Sequence, residues 1–297
     1  MSGIVGVDVG GTYVRTGLVD ELGEVSALEV TPTSDFANNG GFLEGFARYL
    51  VDYRAKHRSF GVSVGFPSTI DKNRKILLST PNIPGLDEVP IVDILEKRLN
   101  CTVWLDKDVN HLLIYDIARL ELSNDKIVLG IYIGTGLGNA IFLHGKLLRG
   151  AHGASGELGH IPIIGTTEIC TCGNVGCSEI FASGKALRSI KDTYFPESNI
   201  EDIFVNHACH ESITKFINDL AIVVATEINI LDPDCIIIGG GIAQMKGFPI
   251  DKLKKMVMQY TRKPFPANGI SFYHSCGDKT SGVVGAAMNV FLLGGIN

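Results

Sequence analysis

No run of lysine or arginine occurs anywhere in the 297 residues, and the formal net charge is −6. Nucleic-acid surfaces are basic in patches, so that class of partner is excluded. A membrane span is missing too, since the longest apolar stretch, Ile127 to Leu143, is broken by Gly130, Gly134, Gly136, Gly138 and Asn139. No basic leader precedes the apolar start, which Asp8 interrupts, so no targeting segment is read and a cytoplasmic protein is expected. Seven cysteines, a sparse and odd number, exclude a disulfide framework. A Walker-type loop is absent, because Gly184-Lys185 lacks the upstream glycine and is followed by Ala186. No G-x-G-x-x-G links a strand to a helix, which argues against a dinucleotide fold.

Glycine, by contrast, is abundant at 35 residues and gathers in clusters at the ends of apolar runs, where backbone can approach a ligand. The 45% hydrophobic and 20% charged content is that of a folded enzyme-sized chain. At roughly 150 residues per domain, the length suggests two domains.

Gly3 to Val9 reads as a strand ending in Gly10-Gly11-Thr12, followed by a strand over Tyr13 to Val19 and a turn at Glu21–Glu24. The plan recurs from Val128 to Ile133, through Gly134-Thr135-Gly136-Leu137-Gly138, to Asn139–Leu143. Superimposing Gly10 on Gly134 predicts a duplicated fold with a spacing of 124 residues. Between and after these, helices are expected over Gly41–Lys56, Val92–Leu99, a segment ending near Leu122, Phe216–Leu231 and Ser281–Leu293. Strands are expected over Gly61–Phe66, Thr102–Leu105 and Cys235–Ile238, the last delivering Gly239-Gly240-Gly241. Alternating strands and helices give an α/β class.

The densest chemistry lies in Glu157-Leu158-Gly159-His160, Cys170-Thr171-Cys172 and Cys177-Ser178-Glu179. Three thiolates and an imidazole make a closed tetrahedral zinc shell, which leaves Glu157 and Glu179 free to accept hydrogen bonds from a polyhydroxylated ligand. Packing of small buried hydrophobes is the alternative. Cys101, Cys209, Cys235 and Cys276 are expected in the core. Asp8, with the turn at Gly10, Gly11 and Thr12, suits a phosphate cradle and a magnesium ion, although an ordinary hairpin would look the same. Gly134, Thr135, Gly136 and Gly138 offer a second amide-rich turn, and Gly239, Gly240 and Gly241 a surface on which a flat ring can lie. Asp108 stands at a strand-to-helix junction as an N-cap whose helix terminus favours the ionised form, or as a base for a sugar hydroxyl, with Asn110 nearby.

Over essentially its whole length the chain resembles the ROK family of sugar kinases and sugar-responsive repressors. Asp8-Val9-Gly10-Gly11-Thr12-Tyr13-Val14-Arg15 resembles the family's first phosphate motif and Gly134–Gly138 its second. Glu157-x-Gly159-His160 is similar to its sugar motif, and Cys170-x-Cys172-Gly173-x-x-Gly176-Cys177-x-Glu179 to its zinc motif. The resemblance implies two ribonuclease-H-like domains of the actin and hexokinase type around an interdomain cleft. The first would span 1–116 plus 282–297, and the second 117–281 with the zinc motif and the adenosine-side glycines. It implies an ATP-dependent hexose kinase with ATP, Mg²⁺ and structural Zn²⁺, in which Asp108 is the base. Asn82, Asp108, Glu157, His160 and Glu179 would hold the sugar. His160, Cys170, Cys172 and Cys177 would bind zinc, His160 turning its second ring nitrogen to the sugar.

Ser68 and Lys107 depart from the Gly and Asn usual in the family's glucokinases. The pattern from Gly65-Phe66-Pro67 through Ser79–Asn82 to Asp108-Val109-Asn110 resembles the family's bacterial D-allose kinases. Glucose and N-acetylhexosamines are the alternative substrates. A repressor would need a DNA-binding segment ahead of Gly3, for which the sequence leaves no room. An actin-like assembly ATPase explains neither the cysteines nor the paired carboxylates. A homodimer is expected, with Phe181, Phe195 and Phe204 at its surface.

Overall fold

The structure, a computed structural model, describes residues 3–37 and 40–292. Positions 1–2, 38–39 and 293–297 of the expected first domain, among them Leu293 of the expected closing helix, lie outside the described residues. The chain divides into two compact units. The first comprises Met1–Leu122, Arg149–Ser155 and Gly277–Asn297, and the second Ser123–Leu148 and Gly156–Cys276.

The first unit contains β1 (Gly3–Val9), β2 (Tyr13–Val19), β3 (Val25–Pro32), α1 (Phe42–Lys56), β4 (Ser59–Phe66), β5 (Thr69–Ile70), β6 (Leu77–Ser79), α2 (Ile91–Leu99), β7 (Thr102–Lys107) and α3 (Asp108–Arg119). The second contains β8 (Ile127–Ile133), β9 (Leu137–Leu143), β10 (Lys146–Leu147), α4 (Gly184–Tyr194), α5 (Ile203–Asn206), α6 (Glu211–Leu231), β11 (Cys235–Gly239), α7 (Ile250–Tyr260) and β12 (Ser271–His274). The chain then returns to the first unit as α8 (Ser281–Leu292).

Each unit is built on a five-stranded sheet, ordered β3-β2-β1-β4-β7 in the first and β10-β9-β8-β11-β12 in the second. In both, an antiparallel meander precedes two parallel additions, so the expected duplication is present as topology. Central strand β1 is buried on both faces, as its unbroken apolar run requires. Val5, Val7 and Val9 join a core with Phe46 and Leu50 of α1, while Ile4 joins Val283, Ala287 and Val290 of α8. A side chain at Gly6 would collide with the backbone of Val283, so glycine at this position of β1 is what lets α8 lie directly on the strand. In the second unit Leu129, Ile131 and Ile133 pack with Phe216, Ile217, Leu220 and Val224 of α6.

Several expectations need correction. β7 runs on to Lys107, because Asp106 and Lys107 pair with Gly65 and Phe66, and α3 therefore starts at Asp108 with Lys107 as its N-cap residue. α6 begins earlier than expected, at Glu211, capped by His210. Cys209 and Cys276 are exposed, since both lie in connecting segments, whereas Cys235 is buried in β11. Phe204, expected at a dimer surface, is 1% exposed and packs edge-on against Phe248 in the core. Among the described residues no helix is long and apolar enough to cross a membrane.

Candidate active site

In the first unit the C-terminal ends of β1 and β7 deliver Asp8 and Asp108. Gly10 N–H donates to Tyr13 O at 2.9 Å and Thr33 Oγ1 to Gly10 O at 2.7 Å, which fixes the turn while Gly11 and Thr12 stay exposed. Asn82 is also exposed, and a Cβ at Gly11 would lie 3.6 Å from its Cβ, so the turn and Asn82 are neighbours. Arg15 Nη1 is 3.4 Å from Asp8 Oδ2. Burial pushes the Asp8 carboxyl up, against the opposing pull of Arg15.

Asp108 Oδ1 accepts from the Val109 N–H at 2.8 Å. Its carboxyl is pushed up to about 6, first by burial and then by the Asp8 carboxylate, with Val109 N–H and Lys107 acting in the opposite direction. The helix terminus was expected to hold this group in its ionised form; burial and the neighbouring carboxylate outweigh it. Two carboxylates that disfavour one another's charge suit a divalent cation, and oxygen donors are the ligands magnesium takes.

Asp106, which motif reading passed over, is the hub behind Asp108. It is 1% exposed and accepts hydrogen bonds from Arg149 Nη2 at 2.9 Å, Asn110 Nδ2 at 2.6 Å and Asn289 Nδ2 at 3.4 Å, with Arg74 Nη2 3.5 Å away. Burial opposes its charge, but Arg74, His111 and Arg149 hold the carboxyl below the usual range. Asn110, expected beside the base, is thus committed to Asp106. Lys107 is buried, and its Nζ donates to Ser155 O at 3.2 Å. Ser68 is buried with its hydroxyl on Ser79 O at 2.7 Å and 2.8 Å from Thr80 Oγ1. No local sequence pattern marks this hub, because Arg74, Arg149 and Asn289 lie far from Asp106 in the chain.

The second unit gathers the remaining candidates. Gly134 N–H bonds Gly136 O at 3.0 Å, and Gly184 N–H and Lys185 N–H at the start of α4 bond Gly134 O at 2.8 Å and Thr135 O at 3.1 Å. Glu179 Oε2 accepts from Leu137 N–H at 3.0 Å, and a side chain at Gly136 would strike that carboxylate. The turn thus holds the Glu179 carboxylate against Gly136 and Leu137. Gly240 has φ +88°, and a Cβ there would lie 2.5 Å from Ile133 N, so only glycine lets the turn at Gly239, Gly240 and Gly241 lie against the end of β8.

His160 points Nδ1 at Cys170 Sγ, 3.9 Å away, and Nε2 at Glu157 Oε2, also 3.9 Å away. Cys172 and Cys177 sulfurs are 3.5 Å apart, and the four donor atoms of His160, Cys170, Cys172 and Cys177 all lie within 4.8 Å of one another. Tetrahedral zinc with bonds of about 2.3 Å to sulfur needs donors roughly 3.8 Å apart, so the set fits that ion. Crowding among the thiols is visible in their acidities. Burial raises both, yet the Cys172 amide and thiol bring Cys170 down to about 7, while burial, Cys172 and Cys170 hold Cys177 high.

The sequence model of the ROK family matches residues 4–291. The glucokinase of Thermotoga maritima is 30% identical over 288 residues, which cover 88% of this chain and 89% of that protein. The xylose repressor of Caldicellulosiruptor bescii is 28% identical over 286 residues, covering 86% of this chain and 70% of that protein. Among solved structures, a ROK family glucokinase from Streptomyces griseus, in complex with glucose and AMPPNP, aligns with a TM-score of 0.80 at 25% identity, covering 96% of this chain and 98% of that one.

Proposed function

The chain belongs to the ROK family, and from that premise we propose that it is an ATP-dependent kinase that phosphorylates the 6-hydroxyl of a hexose, with D-allose as the first substrate. The observation that carries the reading is Asp108: a half-buried carboxylate beside Asp8, in a unit whose exposed Gly11 sits next to Asn82. With its carboxyl near 6, Asp108 is ionised at neutral pH and a stronger base than an ordinary aspartate. It takes the proton of the 6-hydroxyl as that oxygen bonds to the γ-phosphorus and the bond to ADP breaks. Asp8 would hold magnesium, which neutralises phosphate charge when bound. Gly10, Gly11 and Thr12, with Gly134, Thr135, Gly136 and Gly138, supply amides for the phosphates, and Gly239, Gly240 and Gly241 a surface for adenosine.

Asn82, Asp108, Glu157, His160 and Glu179 are the proposed sugar partners. Zinc on His160, Cys170, Cys172 and Cys177 is proposed as structural, because four protein donors leave no open position for a substrate. D-Allose differs from glucose in one hydroxyl, and a site that pairs that hydroxyl rejects its epimer by leaving buried groups unpaired. The support for D-allose is the resemblance over Gly65-Phe66-Pro67, Ser79–Asn82 and Asp108-Val109-Asn110, with the departures at Ser68 and Lys107, whose own polar atoms are bonded to Ser79 O and Ser155 O.

A coupled assay of ATP consumption tests the reading with D-allose, D-glucose, D-mannose, D-fructose and N-acetylated amino sugars. D-Allose should exceed D-glucose in kcat/KM by at least about tenfold, about 1.4 kcal/mol. A better rate with glucose or an N-acetylhexosamine removes the D-allose label alone; no sugar-dependent turnover removes the kinase. The repressor relative favours a second reading, a sugar-responsive regulator, which the same experiment would support if sugar bound without turnover.

A further inference from the structure

Glu227, on α6, is 6% exposed and has no part in the chemistry above. Its Oε2 accepts from Asn139 Nδ2 at 3.0 Å, and the same amide group donates to Gly130 O at 3.2 Å. Asn139 is buried in β9, so this one side chain ties α6 to both strands of the hairpin. Against Asn139 lies the turn that carries Glu157. Gly156 has φ +73°, and a Cβ there would stand 2.6 Å from Asn139 O and 3.1 Å from Asn139 Oδ1. The backbone of the turn therefore rests directly on Asn139, one residue before the candidate sugar carboxylate. A cavity of 280 Å³ opens beside the pair, with Leu158, Ile161 and Ile230 as apolar walls and Glu157 at its edge.

A buried carboxyl in such surroundings is costly, and a well-packed apolar pair would be the cheaper way to join helix and hairpin. What the polar pair adds is direction, since a hydrogen-bonded amide has one allowed orientation and a methyl group has none. We propose that Glu227, acting through Asn139, is a positioning residue for the Gly156–His160 turn and so sets the carboxylate of Glu157. The proposal rests on the reading of Glu157 as a sugar partner.

Burial pushes the Glu227 carboxyl up to about 8, with Asn139 pulling the other way. At neutral pH it is an uncharged acid. Asn139 faces it from β9, and Glu157 is the other titratable group lining the cavity. Above pH 8 a carboxylate forms there, in a cavity that Glu157 also lines, and draws water to the wall on which the turn rests.

The test measures sugar KM and kcat from pH 6.5 to 9.5 for the wild-type protein, Glu227→Gln and Asn139→Ala. Amide hydrogen exchange of residues 156–160, corrected for intrinsic rates, is followed without sugar. Wild-type KM should rise about fivefold between neutral and alkaline pH, and Glu227→Gln should abolish that rise while keeping neutral-pH KM within about twofold. Asn139→Ala should raise KM about tenfold at every pH with kcat within about threefold, and lower protection of the turn about tenfold. An alkaline rise that persists in Glu227→Gln, or a turn equally protected in Asn139→Ala, overturns the proposal. If no sugar is turned over, the kinase reading has failed separately, and exchange alone decides the positioning role: lost protection supports it and retained protection overturns it.

Discussion

Asp108 shows how position, more than residue type, sets chemistry. The same carboxyl in water would be a weak base; burial and Asp8 raise it to about 6, and Val109 N–H and Lys107 keep it from rising further. Asp108→Asn removes the proton acceptor but keeps the shape, so turnover should fall by about 10²–10⁴-fold with sugar affinity largely retained. Steady-state kinetics with direct sugar binding checks this, and a variant keeping more than about a third of wild-type turnover sinks the assignment. The acid limb of kcat/KM should bend near 6 in the wild type, the pH at which the base is lost to protonation. Residue types and spacing made the set of His160, Cys170, Cys172 and Cys177 legible in the sequence, whereas Asp108 stood out as a base only through the family resemblance. The Asp106 hub was not legible, because Arg74, Arg149 and Asn289 reach it from three separate stretches of chain and nothing in their local sequence marks a shared target.

The loop from Ile161 to Cys177 is the element whose order depends on chemistry more than on packing. It has little of its own to bury: Cys172, Gly173, Asn174 and Val175 are exposed, and Ile164 is fully so. Backbone bonds from Ile163 N–H to Gly176 O at 2.7 Å and from Cys170 N–H to Asn174 O at 2.8 Å close it into two small turns. A structural zinc contributes folding free energy directly, and here it would join the loop to His160 and, through Cys177, to Glu179. Protein purified without added metal should hold about one zinc per chain, and Cys172→Ala should lose the metal with at least about a tenfold loss of activity. Elemental analysis beside the kinase assay checks both; full activity in metal-free protein would reduce the cysteines to packing. Legibility varied in the same way among the other elements. The strands around the two glycine turns were read because buried strands give unbroken apolar runs. α4 and α7 were not, since each buries only a narrow stripe, Ala186 and Leu187 in one and Leu253 and Val257 in the other.

At the scale of the whole molecule, the two units repeat one strand order although few residues of the repeat match, because the pattern of buried strand, tight turn and antiparallel return constrains topology more than identity. Stability of the whole should carry the signature of the buried acid in the second unit. An unfolded Glu227 titrates near 4.5, whereas the folded one is pushed up to about 8 by burial. Below the unfolded value both states are protonated and the group's contribution to stability is fully present. Between the two values the unfolded chain releases a proton that the folded one keeps, so stability falls as pH rises, by about 1.4 kcal/mol per unit. Above the folded value both are ionised and the loss stops growing. Glu227→Gln cannot titrate and should escape the whole decline. Calorimetric melting of the two proteins side by side isolates this group from every other titration they share. The variant should melt with the wild type near pH 5 and above it by several degrees at pH 8, for a loss on the order of a few kcal/mol. Curves that stay parallel from pH 5 to 8 would mean that Glu227 is already ionised in the folded protein, and that water reaches it through the cavity.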